Sequence, residues 1–442
     1  MPPQRMQPNR LPFDPAFWLW RTVYTWVLFP LALLLALALR RKYRTTLREQ
    51  VGLWKRLRAQ AAALPADARP VWFHVASAGE YIQALPVIRH FIGEGTPCAL
   101  TYSSISARRW LSRREEELAR FAVVDYLPPD LPWLMRRMVR ILRPRALVFV
   151  KYDLWPNLVH TAHHAGVPQF LVAATLHQGS SRASSRLARA LYLPLYRRMR
   201  GIYCVTEEDR QRFLQSDPAL PAITLGDTKA DAVLHRRDHL QPPPLPACYT
   251  GEPVLVVGSS WPADEAVIMP PLLETLRAQP QLKVLMVPHE TEEPHLRKLE
   301  QEFAAQAPMR FSALQEGATP PEGSRVLIVD TVGQLSALYA HASMAYVGGG
   351  FARGVHNVLE PAAMGVPVLF GPRQRNAPEA RGMAEAGAAT TLHDAAGFAA
   401  ALHTLITDTA ARRAQGEKAL AFAESLAGAA GHTHAAIREA LS

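Results

Sequence analysis

The chain has 442 residues, 49% of them hydrophobic and 37 of them proline, which gives two or three ordered domains with punctuated loops and excludes a disordered protein. Three scattered cysteines, Cys98, Cys204 and Cys248, form no CxxC pair, which excludes a disulfide framework and a zinc ribbon and fits a reducing compartment. The formal net charge of +11 asks for an anionic partner, either a phosphorylated substrate or acidic lipid, since no zinc finger or RNP-type motif supports nucleic acid.

Thr22 to Leu39, TVYTWVLFPLALLLALAL, carries no charge and approaches the ~20 apolar residues that a spanning helix requires. Trp18, Trp20, Tyr24 and Trp26 gather at its start, as aromatic side chains do at a bilayer interface. Arg40, Arg41, Lys42, Arg44, Arg48, Lys55, Arg56 and Arg58 follow it, as basic residues do on the cytoplasmic side. Arg21 and Pro30 leave two readings open, a helix that spans and one that lies in a single leaflet. Because the basic cluster follows the apolar run, a cleaved signal peptide is disfavoured. Residues 1–45 are therefore expected to form a retained membrane anchor with a basic collar.

RPVWFHVA (69 to 76) predicts a buried strand, followed by the turn Ser77, Ala78, Gly79, Glu80 and a helix from Tyr81 to Gly93. In an open parallel sheet, ligands bind at the carboxyl ends of the strands, so Glu80 stands where a catalytic carboxylate is useful. The same residue also fits a helix N-terminal acid favoured by the dipole. Strands are predicted at 98 to 104, 122 to 128, 145 to 150, 168 to 174 and 201 to 206, alternating with helices, which implies right-handed crossovers and a parallel sheet. Lys151 to Asn157, KYDLWPN, follows one strand and belongs to the same ligand edge, with Lys151 and Asp153 as its charged members. The loop Gln178 to Arg182 offers an arginine for a carboxylate or phosphate, or is plain linker.

GDTKAD (226 to 231) precedes the proline-rich QPPPLP (241 to 246), a stiff stretch that marks an interdomain linker over 241–250. The expected domains are 46–240 before it and 251–442 after it, the latter including the C-terminal helices. Strands restart with PVLVVG (253 to 258), then the turn Ser259, Ser260 and a helix from Trp261 to Gln279, a nest of donors suited to phosphate. KVLMVP (283 to 288), with His289 and Glu290 at its tip, and RVLIVD (325 to 330) follow. After Arg381 the pattern reads as alanine-rich helix to the end.

Met344 to Pro372, MAYVGGGFARGVHNVLEPAAMGVPVLFGP, predicts strand, glycine turn, short helix and strand. Gly348, Gly349 and Gly350 let the backbone turn tightly and let an anion approach amide groups. Glu360 beside such a cradle suits the vicinal hydroxyls of a ribose or sugar, and His356 and Asn357 add polar groups. Together these suggest a nucleotide-sugar site, while the same pattern also fits a βαβ unit whose glycines only make a loop. Arg353 occupies the place of the third glycine of GxGxxG and no P-loop lysine follows, which argues against NAD or ATP. His160, His163 and His164 have no HExxH motif or acidic ligand with them, so neither metal nor cofactor is expected, and no GxSxG elbow offers a serine nucleophile.

HVASAGE, KYDLWPN, GDTKAD, GSSWPADE, VPHE and GGGFARGVHNVLEP, in this order after an apolar anchor, resemble the 3-deoxy-D-manno-octulosonic acid (Kdo) transferases. The similarity runs from about Thr22 to about Arg381, and the pairing of SxGE with HNxLEP carries it. The resemblance implies an α/β protein of GT-B glycosyltransferase architecture, two Rossmann-like domains facing a cleft, acceptor domain first and donor domain second. It implies transfer of Kdo from CMP-Kdo to a lipid A precursor at the cytoplasmic face of the inner membrane, among acidic lipids. Glu80 resembles the family's general base. Lys229, Ser259, Ser260, His289, Gly349, Gly350, Asn357 and Glu360 resemble donor contacts, and Ser77, Gly79, Lys151, Asp153 and Arg182 fall on the acceptor side. Lys151 and Asp153 stand where many relatives carry two glutamates, His289 where many have arginine, and Asp227 where many have asparagine. A different GT-B glycosyltransferase or a nucleotide-sugar-binding relative without turnover is the competing reading.

Overall fold

The computed structural model describes residues 15–39, 41–112, 114–176, 186–251, 253–375 and 377–442. Two compact units divide the chain, one from Met1 to Ala232 together with Gly428 to Ser442, the other from Val233 to Ala427. Each is built on a seven-stranded, all-parallel sheet flanked by helices, as the alternating strand and helix pattern predicts.

In the first unit the strands are β1 (Val71–Val75), β2 (Cys98–Tyr102), β3 (Val123–Tyr126), β4 (Ala146–Val150), β5 (Gln169–Ala174), β6 (Gly201–Cys204) and β7 (Ala222–Thr224), in the order β3-β2-β1-β4-β5-β6-β7. The chain starts in the middle and works outward to one edge before crossing to the other, so a switch point lies between β1 and β4, where loops diverge and leave room for a ligand. β1, β2, β4 and β5 are buried along their whole length, because helices cover both faces, and this is why they read as unbroken apolar runs.

The second unit contains β8 (Val254–Ser260), β9 (Lys283–Pro288), β10 (Met309–Arg310), β11 (Val326–Ile328), β12 (Met344–Val347), β13 (Val368–Phe370) and β14 (Ala389–Thr391), in the order β10-β11-β9-β8-β12-β13-β14. Its switch point lies between β8 and β12.

Three differences from the sequence pattern have physical causes. β7, β10 and β14 are edge strands of two or three residues, too short to show a period, and β14 interrupts the stretch after Arg381 that reads as helix. Ser259 and Ser260 complete β8 rather than form a turn: the register shifts between Gly258 and Ser260, and Ser259 takes up φ 52° there. The contact boundary falls inside the helix Thr228–Asp238, ahead of the proline run, and the last helix, Ala429–Leu441, returns to the first unit. The Asp231 carboxylate accepts from the amides of Gly428 and Ala430 at 2.8 and 3.0 Å, capping that helix, while Ala430 and Ile437 join the first unit's core.

Candidate active-site residues

In the first unit β1 ends at Val75 and the helix Ala78–Gly93 begins three residues later. Ser77 is its N-cap, the side-chain oxygen accepting from the Glu80 amide at 3.3 Å, so Glu80 occupies the third helical position. The Glu80 carboxylate is buried and accepts from the Ala76 amide at 2.6 Å. Burial pushes its pKa up to about 7, and the negative charge of Asp153 adds to the rise. The Ala76 amide, the Lys151 ammonium and the Ser77 backbone oppose it without cancelling it. A Cβ added at Gly79 would meet only Ser77 Oγ, at 3.9 Å, so the protein's own packing does not require glycine there.

Lys151 and Asp153 follow β4, Lys151 in the left-handed region at φ 59° with its amide donating to Val172 O. Asp153 accepts the Trp155 indole N–H at 3.0 Å. Its other neighbour is His74, a residue the sequence pattern hides because it sits inside a buried strand. His74 Nδ1 lies 3.0 Å from Thr101 Oγ, which also accepts the Trp72 indole N–H at 2.8 Å. His74 Nε2 is buried, has no hydrogen-bond partner and lies 3.6 Å from Asp153 Oδ2. A polar residue in an otherwise apolar strand was the available signal. Arg182 lies outside the described residues.

Asn157, the last residue of KYDLWPN, is fully buried and turned away from a ligand role. Its side chain accepts from Arg21 Nε at 3.1 Å, exchanges hydrogen bonds with Thr25 and donates to Asp130 O at 2.7 Å.

In the second unit the helix Pro262–Ala278 follows β8, with Trp261 as N-cap and Asp264 at the third helical position. Asp264 is fully buried and accepts four hydrogen bonds: from the amides of Trp261, Gly349 and Phe351 at 3.0, 2.8 and 3.0 Å and from the Tyr346 hydroxyl at 2.9 Å. The glycine turn is thus filled by a carboxylate of the protein itself, and the Gly349 amide is spent. A Cβ at Gly348 would lie 2.2 Å from Ser259 O, at Gly349 2.2 Å from Gly354 O, and at Gly350 2.5 Å from the Gly371 backbone. Close approach of backbones alone thus requires glycine at all three positions. Nor does a long helix follow at once, since the helix there is only Leu359–Ala363. Ser260 is likewise committed: its buried hydroxyl donates to Glu265 Oε1 at 2.9 Å, and His295 meets the other oxygen at 2.8 Å.

What remains open at this edge is an aromatic platform. The Trp261 indole donates to His356 Nε2 at 2.8 Å with the two rings 5° from parallel and their centroids 6.4 Å apart, so they lie edge to edge in one plane. His356 is thereby neutral with its proton on Nδ1, and burial and the neighbouring His289 hold its pKa down. The exposed His289 ring lies over the seam, 4.3 Å from Trp261 and 4.8 Å from His356, and the Arg353 guanidinium sits 5.4 Å from the Trp261 centroid. Asn357 Oδ1 accepts from the Leu359 amide at 3.3 Å. Glu360 meets Arg236 Nη1 at 3.3 Å. Lys229 falls in the first unit, at the start of the helix Thr228–Asp238, its amide donating to Asp227 Oδ1. Sequence reasoning missed Trp261, Asp264 and Arg236, whose partners lie up to 124 residues away.

His160 and His164 share a helix face with ring centroids 4.1 Å apart, and among the described residues no group of three or more metal-binding side chains is assembled.

Residues 45–232 match the family model described as 3-Deoxy-D-manno-octulosonic-acid transferase (kdotransferase). The 3-deoxy-D-manno-octulosonic acid transferase of Bordetella pertussis is 31% identical over 440 residues, covering 95% of this chain and 99% of the relative. That of Chlamydophila psittaci is 29% identical over 325 residues, 70% of this chain and 71% of the relative. The crystal structure of a putative UDP-N-acetylglucosamine 2-epimerase from Listeria monocytogenes superposes with a TM-score of 0.59 at 13% identity, over 84% of this chain and 96% of that one, a likeness of fold.

Proposed function

The chain belongs to the 3-deoxy-D-manno-octulosonic acid (Kdo) transferases, a glycosyltransferase family, and from that premise we propose that it moves Kdo from CMP-Kdo to the lipid A precursor lipid IVA with Glu80 as general base. The observation that carries this is a buried carboxylate at a strand's carboxyl end whose pKa stands at about 7. Such a group is half ionised near neutrality and strong enough as a base to take a proton in the transition state. The acceptor hydroxyl gives its proton to Glu80 as its oxygen forms a bond to the anomeric carbon of Kdo. The bond from that carbon to the CMP phosphate breaks, its electron pair leaves with CMP from the opposite face, and the configuration inverts. Glu80 then loses the proton to solvent.

Ser77 holds Glu80 in place, and Gly79 leaves room above it for a sugar. On the donor side, His289 on its platform offers a ring N–H for phosphate, and Lys229, Ser259, Asn357 and Glu360 are the remaining proposed contacts. The enzyme would work at the cytoplasmic face of the inner membrane, where the apolar segment Phe17–Ala38 attaches it near its lipid acceptor.

Incubation of the purified protein with CMP-Kdo and a tetraacylated, bis-phosphorylated lipid A precursor tests the reading. The product mass should rise by whole Kdo units. An unchanged acceptor mass, with wild type and Glu80→Gln alike, would reject it.

A further inference from the structure

The segment Phe17–Ala38 is long and apolar enough to cross a bilayer. Its contacts forbid the crossing. The N-terminal half, Pro15–Val23 and the π-helical turn Tyr24–Leu28, lies on the first unit through one face. Phe17, Arg21 and Thr25, four residues apart in succession, are buried there. Arg21 and Thr25 bond Asn157, the Tyr24 hydroxyl donates to Asp130 at 3.1 Å, and the edge of Trp18 meets His160 with centroids 4.9 Å apart. Asp130 is fully buried and also takes the amides of Asn157 and Leu158, both at 2.9 Å, so this is a buried polar network and not a surface brush of side chains.

The other end of the segment is tied to the same unit. Arg44 turns back to donate to the Leu37 and Ala38 carbonyls, capping the helix Phe29–Leu39. A few residues on, Glu49 accepts from the Tyr126 hydroxyl at 2.5 Å, Gln50 donates to Leu127 O at 3.3 Å, and Leu53 and Leu57 enter the core. A helix with both ends bound to one folded unit has both ends on one side of a membrane.

Length agrees. Beyond the docked half only the 11 residues Phe29–Leu39 remain to enter lipid, about 16 Å of helix against the ~30 Å of a hydrocarbon core. A spanning register would also carry Arg21 and its bonded partners into lipid, where a charged side chain is costly. The outward face is apolar: Leu19, Trp26, Val27, Leu31, Leu34 and Leu35 are each more than half exposed. Trp133 stands beside Trp26, centroids 5.8 Å apart, and extends this face. Exposed Arg48, Lys55 and Arg58 follow in the chain and match an anionic surface.

We infer that the apolar helix enters a single leaflet of an anionic phospholipid bilayer and returns, clamped at its start by Asn157 and Asp130, so that the N-terminus lies on the same side as the catalytic unit. The inference rests on the membrane attachment proposed above. Full-length protein in a Cys248→Ser background tests it, since Cys98 and Cys204 are buried. Gln4→Cys, ahead of the helix, and Asp67→Cys, on the exposed turn before β1, are treated with a membrane-impermeant maleimide in spheroplasts and in inverted inner-membrane vesicles. Both cysteines should react in inverted vesicles and neither in spheroplasts. Reaction of Gln4→Cys from spheroplasts alone would overturn the inference and leave membrane attachment standing. Recovery of both variants in the soluble fraction, as monomers or as a dimer joined by the apolar face, would overturn inference and attachment together. Retained Kdo transfer by both variants shows that they are folded.

Discussion

Glu80 and Asp264 stand at the same place in their respective units: the third residue of the helix after the first strand, behind an N-cap, at a strand's carboxyl end. Asp264 accepts four hydrogen bonds and ties β12 and the glycine turn to that helix. Glu80 accepts the Ala76 amide, with the Ser77 backbone contributing, and is left poorly solvated at a pKa of about 7. A buried carboxylate that is saturated with donors is a structural joint, and one left short of them is a base in waiting. Residue type and position do not separate the two uses; the supply of hydrogen bonds does.

The largest effect that would sharpen this contrast is the loss of turnover in Glu80→Gln, expected at ~10²–10⁴-fold in kcat with CMP-Kdo binding unchanged. Titration calorimetry with CMP-Kdo separates that outcome from misfolding, and near-wild-type kcat would break the assignment. The mirror substitution, Asp264→Asn, should act on stability: an amide group would face donors where an oxygen accepted, costing about 3 kcal/mol in urea unfolding. If Asp264→Asn unfolded like wild type yet lost all activity, Asp264 would be the reactive acid and the comparison would be reversed.

How much of this could be read from the sequence follows from the range of the forces involved. The core strands were legible because burial on both faces writes an apolar run into a few consecutive residues, and Glu80 was legible because its cap and helix are local. Asp264 was not, since its partners Tyr346, Gly349 and Phe351 come more than 80 residues later and only the fold brings them to it. For the same reason the sequence could not show that a distant carboxylate takes the Gly349 and Phe351 amides of the glycine turn. Asn157 sat in a stretch at the ligand edge, and only its bonds to Arg21 and Thr25 expose it as a clamp.

Smaller effects probe each edge separately. His289→Ala should weaken CMP-Kdo binding about 10-fold, ~1.4 kcal/mol for one charge-assisted contact, without lowering the unfolding midpoint, because the ring is exposed. Unchanged affinity would remove the platform from the donor site. Gly79→Ala should leave stability equal or slightly higher, by up to about 1 kcal/mol, because the added methyl meets only Ser77 Oγ and alanine favours the helix. Its expected signature is a few-fold rise in acceptor KM, and an unchanged KM would mean that the space above Glu80 is not used.

The pH profile of kcat/KM, wild type beside Asp153→Asn, bears most directly on Glu80. A base must be ionised to act, so with its pKa near 7 the rate should fall as pH drops through about 7. Asp153 raises that pKa through its charge, so neutralising it should move the acidic limb to lower pH. A rate that stays level down to about pH 5, or a limb that Asp153→Asn leaves in place, would contradict the account.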